Sequence, residues 1–319
     1  MSEEVQRHRV DTGEAGTRLD RFLAARHPER SRSQLAALCK RGLVKVDGQP
    51  ARPSTTLQGG AEVELHLPEA PAPALEPEPI PLEVLHEDGD VIVLNKPADL
   101  VVHPGAGVRE GTLAAALLHH DPALGGVGGE GRSGIVHRLD RGTSGAMVVA
   151  RTGAAHRALA DQVRERTVEK IYDAVVWGRP ADEEGEIDQP IGRHPTQRWK
   201  MATGVVHGRE AVSRYRVVET VPGFARVSIR ILTGRTHQVR VHMAAIGYPL
   251  VGDLTYAGDR SRSLIDPRRR QAVRAIDRPA LHARRLVFTH PRSGERMAFS
   301  VPWPDDMKTL WLDLGGRAP

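Results

Sequence analysis

Between residues 68 and 82 the chain reads PEAPAPALEPEPIPL, and no helix or sheet ladder can be drawn through it. Proline has no backbone N–H and a fixed φ, so a run this dense reads as a semi-rigid, extended linker. It divides the chain into a small module at residues 1–67 and a larger domain at 83–319. The full length of 319 residues agrees, since about 150 residues per domain predicts roughly two.

Residues 17–67 have the pattern of a compact α/β unit. Thr17 stands where an N-cap would open a short helix whose Leu19, Phe22 and Leu23 share a face. Ser31 and Gln34 have capping-box spacing for a second helix. Leu35, Leu38 and Cys39 line its inner side, and Gly42 follows its end. LVKV, a turn at Asp47–Gly48, and AEVELHL then predict short strands that close the module. Cys39 is expected in this core as a small apolar group.

From residue 83 onward, short strands alternate with short helices. VIVLNKP is a strand ending in a proline turn, AMVVA is a buried strand, and TGAAHRALADQVRER is a capped helix. KIYDAVVWG, AVSRYRVVE and FARVSIRIL alternate with period two. Several adjacent strands with few helices between them predict an α+β fold with a mainly antiparallel sheet.

Composition removes several classes of function. Cys39 is the only cysteine, so neither a disulfide framework nor a thiolate zinc site can be built within one chain. No secretory h-region or membrane-length apolar run is present, and a soluble cytoplasmic protein is expected. Lys and Arg number 45 against 40 acids; this excess of cations matters where it is clustered.

Residues 137–150, HRLDRGTSGAMVVA, hold the most pointed chemistry. An aspartate beside Gly and Thr is ordinarily a turn residue bonded to nearby backbone. Here Arg138 and Arg141 flank Asp140, and Gly142 and Gly145 permit a sharp bend. A carboxylate held ionised by guanidinium groups suits base or nucleophilic work rather than acid catalysis. In TGRTHQVRVHMAAIG (233–247), Thr236 has an N-cap position, and His237, Arg240 and Ala244 share one helical face. His237 and His242 are five apart, off the spacing of a zinc pair, and a metal site is not expected. An arginine buried on so short a helix needs a carboxylate or phosphate partner. Tyr172 is either half-buried core or a platform on which a base can stack. The glycine-rich stretch 125–134 lacks the ending of a phosphate loop, and the basic run 259–278 is a solvated face or an RNA-backbone contact.

HRLDRGTSG resembles the signature of the RluA-type pseudouridine synthases. NKPADLVVHPG (95–105), VEKIYDAVVWG (168–178), TGRTHQVRVHMAAIGYPLVGD (233–253) and LHARRLVFTHP (281–291) are similar to that family in the same order. Residues 17–67, with RLDRFLA and SRSQLAALCKRGLVKVDGQPA, resemble the alpha-L RNA-binding module of the ribosomal S4 type. The combination is similar to the branch that modifies large-subunit ribosomal RNA. Arg141–Gly142 and Leu254 depart from the residues common in that branch.

The resemblance implies an enzyme that converts specific uridines to pseudouridine, with ribosomal RNA as partner, no cofactor and no metal. A transfer RNA substrate and a non-catalytic assembly factor remain the alternatives. An aspartate-dependent hydrolase lacks a second carboxylate placed as its acid partner. By resemblance Asp140 is the catalytic group, Tyr172 stacks on the target base, and Arg240 pairs with Asp140. Arg138 fills the gap left by the flipped nucleotide, while Arg18, Arg32, Lys40 and Arg41 are expected to contact RNA from the N-terminal module. No dimerisation element stands out, so a monomer is expected.

Overall fold

The computed structural model describes residues 4–27, 32–67, 75–105, 108, 110–129 and 131–319. It divides into two compact units, Met1–Ala74 and Leu75–Pro319.

The first unit contains β1 (Glu4–Arg9), α1 (Leu19–Arg26), α2 (Arg32–Lys40), β2 (Val44–Val46), β3 (Gln49–Pro50) and β4 (Glu62–Leu67). Its strands lie in the order β1-β4-β2-β3, and every pairing is antiparallel. Asp47 and Gly48 join β2 to β3 with φ of 49° and 76°, the left-handed pair that a tight hairpin needs. Leu19, Phe22 and Leu23 of α1 pack with Leu35, Leu38 and Cys39 of α2 over Val44, Val63 and Leu65. Burial pushes the Cys39 thiol up to about 11, so it stays protonated.

Two local expectations are corrected or fall outside the described residues. Thr17 does not cap α1: Arg18 takes the cap position with extended backbone and no capping side chain. Carbonyls of a neighbouring loop do that work instead, Thr55 O accepting from Leu19 N (2.8 Å) and Pro53 O from Asp20 N (3.0 Å). The capping box of α2 lies outside the described residues, since it rests on Ser31 and on the Gln34 side chain.

The second unit begins with residues 75–82, the described part of the proline run. Leu75, Ile80 and Leu82 pack against the core of this unit, and Glu78 accepts Gly111 N–H at 2.9 Å. There follow β5 (Glu83–Glu87), β6 (Val91–Lys96), α3 (Leu113–His120), β7 (Ser144–Ala150), α4 (Gly153–Glu165), β8 (Glu169–Trp177), β9 (Glu184–Asp188), β10 (Ile191–Arg193), β11 (Met201–Thr203), β12 (Val212–Val221) and β13 (Phe224–Ile231). The chain closes with α5 (Gln238–Ala245), α6 (Pro267–Ala275), β14 (Leu281–Thr289), β15 (Arg296–Ser300) and α7 (Asp305–Asp313).

Nine strands form one sheet in the order β5-β6-β7-β14-β8-β13-β12-β9, with β15 also on β14. Only β7 and β14 run parallel, so the fold is α+β with a mainly antiparallel sheet. All seven residues of β7 are buried, which explains its unbroken apolar run. Gly145, the second residue of that strand, has φ of 125°, and a Cβ there would lie 2.3 Å from Ala283 O. Only glycine lets β14 come so close, and the approach fixes where the preceding loop, residues 136–143, must stand. Thr152 caps α4 by accepting Ala155 N–H (3.1 Å). Among the described residues no helix is long and apolar enough to cross a membrane.

Candidate active site

The loop before β7, the middle of β8 and the start of α5 enclose a cleft of about 240 Å³. Arg138, Asp140, Tyr172 and Arg240 all line it. Among the described residues Asp140 is its only acid, set among Arg138, Lys170, Arg235 and Arg240. The side chain of Asp140 is 22% exposed, enough to meet a ligand. Behind it lies the buried guanidinium of Arg240, with Nη1 3.8 Å from Asp140 Oδ2.

The principal partner of Arg240 is a different acid. Its Nε and Nη2 donate to the two oxygens of Asp253 at 2.7 and 2.8 Å. Asp253 is itself buried and accepts the backbone N–H groups of Thr255 and Tyr256. Burial disfavours the Arg240 cation, but its bonds to Asp253, reinforced by the charge of Asp140, leave it firmly charged. The family resemblance paired Arg240 with Asp140, and Asp253 was given no weight. The signal was present, because Asp253 ends the quoted segment TGRTHQVRVHMAAIGYPLVGD.

The entry to α5 also differs from expectation. Thr236 does not cap it: His237 does, with φ of 57° and no capping side-chain bond. Gln238 Oε1 closes this turn by accepting from Arg235 N and Thr233 Oγ1. The left-handed backbone sets His237 in the cleft wall, where Nδ1 meets Tyr256 Oη at 2.9 Å. Burial holds the His237 imidazole below its ordinary range.

Tyr172 and Lys170 are two apart on β8 and share the face toward the cleft. Tyr172 is buried, and its phenol is pushed well above the usual range by burial and then by the charge of Asp140. It therefore offers a neutral ring. His137 receives the backbone N–H of Val148 on Nε2 (3.2 Å), and burial pushes it down to about 3. It is thus a neutral support for the loop and not a proton donor.

Two further cations, missed in the sequence, fix that loop. Lys96 is fully buried at the end of β6, and its Nζ donates to Pro97 O (2.6 Å), Leu100 O (2.9 Å) and Arg141 O (3.4 Å). Arg278, in the basic run read as a solvated face or an RNA-backbone contact, is buried; it pairs with Asp306 and donates to Gly142 O (3.0 Å). The carbonyls of Arg141 and Gly142, just after Asp140, are therefore each held by a buried cation. Leu254, one of the two departures from the family pattern, is exposed and does not line the cleft.

In the first unit, Arg18 and Arg32 converge on Asp20: Arg18 Nε lies 3.1 Å and Arg32 Nη2 2.8 Å from its carboxylate. Arg18 first, then Arg32, hold Asp20 down to about 2 against the effect of burial. Lys40 and Arg41 are exposed at the end of α2. Among the described residues one group has metal-ligand spacing, Asp88, Asp90 and His290, and none of its members lines the cleft. Asp90 takes the fork of Arg292, and Asp88 accepts from His86 and from backbone amides.

Comparison with known proteins agrees with this architecture. Residues 90–245 match the family model for RNA pseudouridylate synthase, and residues 17–63 match the S4 domain. The chain is 45% identical to a ribosomal large subunit pseudouridine synthase D of Pseudomonas aeruginosa, over 98% of this chain and 96% of that protein. It is 46% identical to the protein of the same name in Xanthomonas campestris, over 96% of this chain and 91% of the other. Human RNA pseudouridylate synthase domain containing 1 superposes with a TM-score of 0.53 at 29% identity, covering 70% of this chain and 83% of that one. The chain belongs to the RNA pseudouridylate synthase family, in its RluA-type branch with an S4 domain. It is an RNA-modifying isomerase.

Proposed function

We propose that this protein converts specific uridines of large-subunit ribosomal RNA to pseudouridine, with Asp140 as the catalytic group. One observation carries the assignment of roles: a single partly exposed carboxylate, backed by a buried arginine, stands in a cationic cleft beside a buried neutral tyrosine. The relatives named as large-subunit enzymes cover nearly the whole chain and supply the substrate class.

The reaction keeps every atom of the uridine. The bond from ribose to N1 breaks, the uracil turns, and a bond forms from ribose to C5. The proton on C5 is lost and N1 gains one, so no electrons enter or leave. A stacked base exposes neither its glycosidic bond nor its ribose face, so the nucleotide must leave the helix, at a cost of roughly a few kcal/mol. Exposed Arg138 at the cleft fills the vacated space, and the cationic lining holds phosphates. The ring of Tyr172 stacks on the extruded base. Asp140 attacks a ribose carbon or removes a ribose proton, and Arg240 keeps it charged and oriented.

The proposed domains are residues 1–67 as an RNA-binding module, 68–82 as a proline-rich connection whose residues 75–82 pack on the second unit, and 83–319 as the catalytic domain. Arg18, Arg32, Lys40 and Arg41 contact RNA from the module. The working form is a cytoplasmic monomer.

The test is incubation of the purified protein with unmodified large-subunit RNA, small-subunit RNA and a transfer RNA pool, followed by mapping of pseudouridine. Product in large-subunit RNA, absent with Asp140→Asn although the RNA still binds, is expected. Product confined to transfer RNA overturns the substrate, and a variant near native activity overturns the role of Asp140. Complete rescue of a deletion strain by Asp140→Ala would make assembly the main biological role.

A further inference from the structure

We propose that Trp199, on the basic hairpin seated against the Asp140 cleft, is a stacking site for an unpaired base of the bound RNA. The inference rests on the RNA reading above and adds a contact outside the cleft. Trp199 does not line that cleft.

The hairpin is formed by β10 and β11, paired from Ile191↔Thr203 to Arg193↔Met201. Its loop is closed by its own bonds. His194 N donates to Lys200 O (3.0 Å), Lys200 N to Gln197 O (2.8 Å), and Gln197 N to His194 Nδ1 (3.1 Å). Arg193 Nη1 donates to Arg198 O at 2.9 Å. A loop bonded this thoroughly holds its side chains in place, and it holds Trp199 outward, 65% exposed. The other three tryptophans, Trp177, Trp303 and Trp311, are all buried.

The surroundings of the indole define its ligand. Arg193 and Arg198 of the hairpin are exposed, as is Arg209, whose backbone pairs with Ile191 at the hairpin base, and Lys200 Nζ lies 4.9 Å from the ring centroid. Among the described residues no carboxylate lies within salt-bridge reach of these four cations. The centre of a protein interface is enriched in tryptophan and arginine but depleted of lysine, whereas here a lysine lies over the ring. An exposed ring among unneutralised cations suits single-stranded RNA, whose phosphates meet the cations and whose base meets the ring.

The hairpin is tied directly to the cleft. Ile191 packs with Val241 of α5, the helix that carries Arg240. Met201 N donates to Tyr256 Oη at 3.0 Å, and that same hydroxyl bonds to His237 Nδ1. The Arg240 guanidinium lies 5.1 Å from the Tyr256 ring centroid. Trp199 is two residues from Met201, so a base stacked on it lies close to the cleft that receives the uridine. Because every base has a π-face, the contact adds affinity without strict sequence preference.

Tryptophan fluorescence tests this, since Trp199 is the exposed emitter among four. Native protein is titrated with an unmodified large-subunit RNA transcript and with an oligouridylate, with acrylamide as collisional quencher, and pseudouridine is measured in parallel. RNA is expected to quench the red-edge emission and shield it from acrylamide, and Trp199→Phe loses that signal while binding RNA within about threefold of native. Trp199→Ala weakens binding roughly 5- to 100-fold, raising KM with kcat nearly unchanged. Unchanged emission at saturating RNA, or native KM in Trp199→Ala, overturns the proposal. Should Trp199→Ala fail to fold, the emission of the native protein and the affinity of Trp199→Phe decide. Product formed with an unresponsive Trp199 refutes the stacking site alone. A quenched Trp199 with no product in any RNA refutes the proposed activity and leaves the stacking site standing.

Discussion

Arg240 gives its planar fork to Asp253 and presents only its remaining Nη1 to Asp140, at 3.8 Å. The guanidinium is thus fixed from behind by one acid and faces the second with a charge it does not have to reorient. A preorganised cation of this kind acts on the reacting group without reorganisation cost.

Asp253→Asn therefore tests positioning. It leaves a buried arginine without its counter-charge, a loss of about 3–5 kcal/mol for a broken buried pair. Denaturant unfolding should show that loss. Pseudouridine assays should show kcat down roughly 10- to 100-fold with RNA affinity close to native. A native kcat in a destabilised variant would mean that Asp253 serves only the fold.

Tyr172 carries a prediction about pH. Burial, and then the charge of Asp140, raise its phenol above the usual range, so the ring stays neutral through the working range. Because the folded value is raised, its contribution to stability is complete below the free phenol value of about 10 and is lost as pH climbs above it. Tyr172→Phe should keep the shape of the pH–rate profile, whereas Tyr172→Ala removes the platform and opens a cavity worth about 3–5 kcal/mol. An alkaline limb present in the native protein and absent in Tyr172→Phe would contradict this reading.

Much of this was legible in the sequence, and the exceptions share a cause. Period-two alternation in 170–178, 211–219 and 224–232 marked antiparallel strands; burial follows it in β12 and β13, whereas β8 is buried on both faces from Tyr172 onward. The strand Glu4–Arg9 escaped notice: it is nearly all polar and exists through pairing with β4, not through its own pattern. Thr17 and Thr236 look like caps, yet distant carbonyls accept the first amides of α1, and before α5 the Gln238 side chain closes the preceding turn instead. Lys96 reads as a surface lysine at a strand end, and only the folded chain brings three carbonyls around it. Asp140 was legible because its flanking arginines and glycines adjoin it in sequence. Asp253 stood in the same quoted segment as Arg240, but its tie to that arginine spans the turn after α5 and shows only in the folded chain.

Lys96 gives a test by titration. Burial first, and then the charge of Arg278, push its amine down to about 8 from an ordinary value near 10.5. The folded state thus releases this proton earlier than the unfolded state, so the lysine's contribution to stability improves as pH rises between those two values. Comparison of native protein with Lys96→Met by urea unfolding should show a difference that shifts toward native by on the order of 3 kcal/mol across that window. A pH-independent difference would show that the amine is not depressed. At neutral pH the variant should also lose activity, since the Arg141 carbonyl beside Asp140 loses its donor.

The N-terminal module separates two kinds of cation. Arg18 and Arg32 share Asp20, so part of their charge is already compensated, while Lys40 and Arg41 have no carboxylate in reach among the described residues. Lys40→Glu and Arg41→Glu should each weaken RNA binding and lower the slope of its salt dependence by about 0.7–0.9 for every phosphate no longer neutralised. Their unfolding free energies should stay within about 0.5 kcal/mol of native, because both side chains are exposed. Asp20→Asn should do the reverse. It frees two guanidinium groups for RNA but destabilises the module, because it removes a buried carboxylate held down to about 2 by Arg18 and Arg32. Filter binding at several salt concentrations, beside thermal unfolding of the same variants, separates the cases. An unchanged salt slope in the Lys40 and Arg41 variants would remove these two residues from the RNA interface.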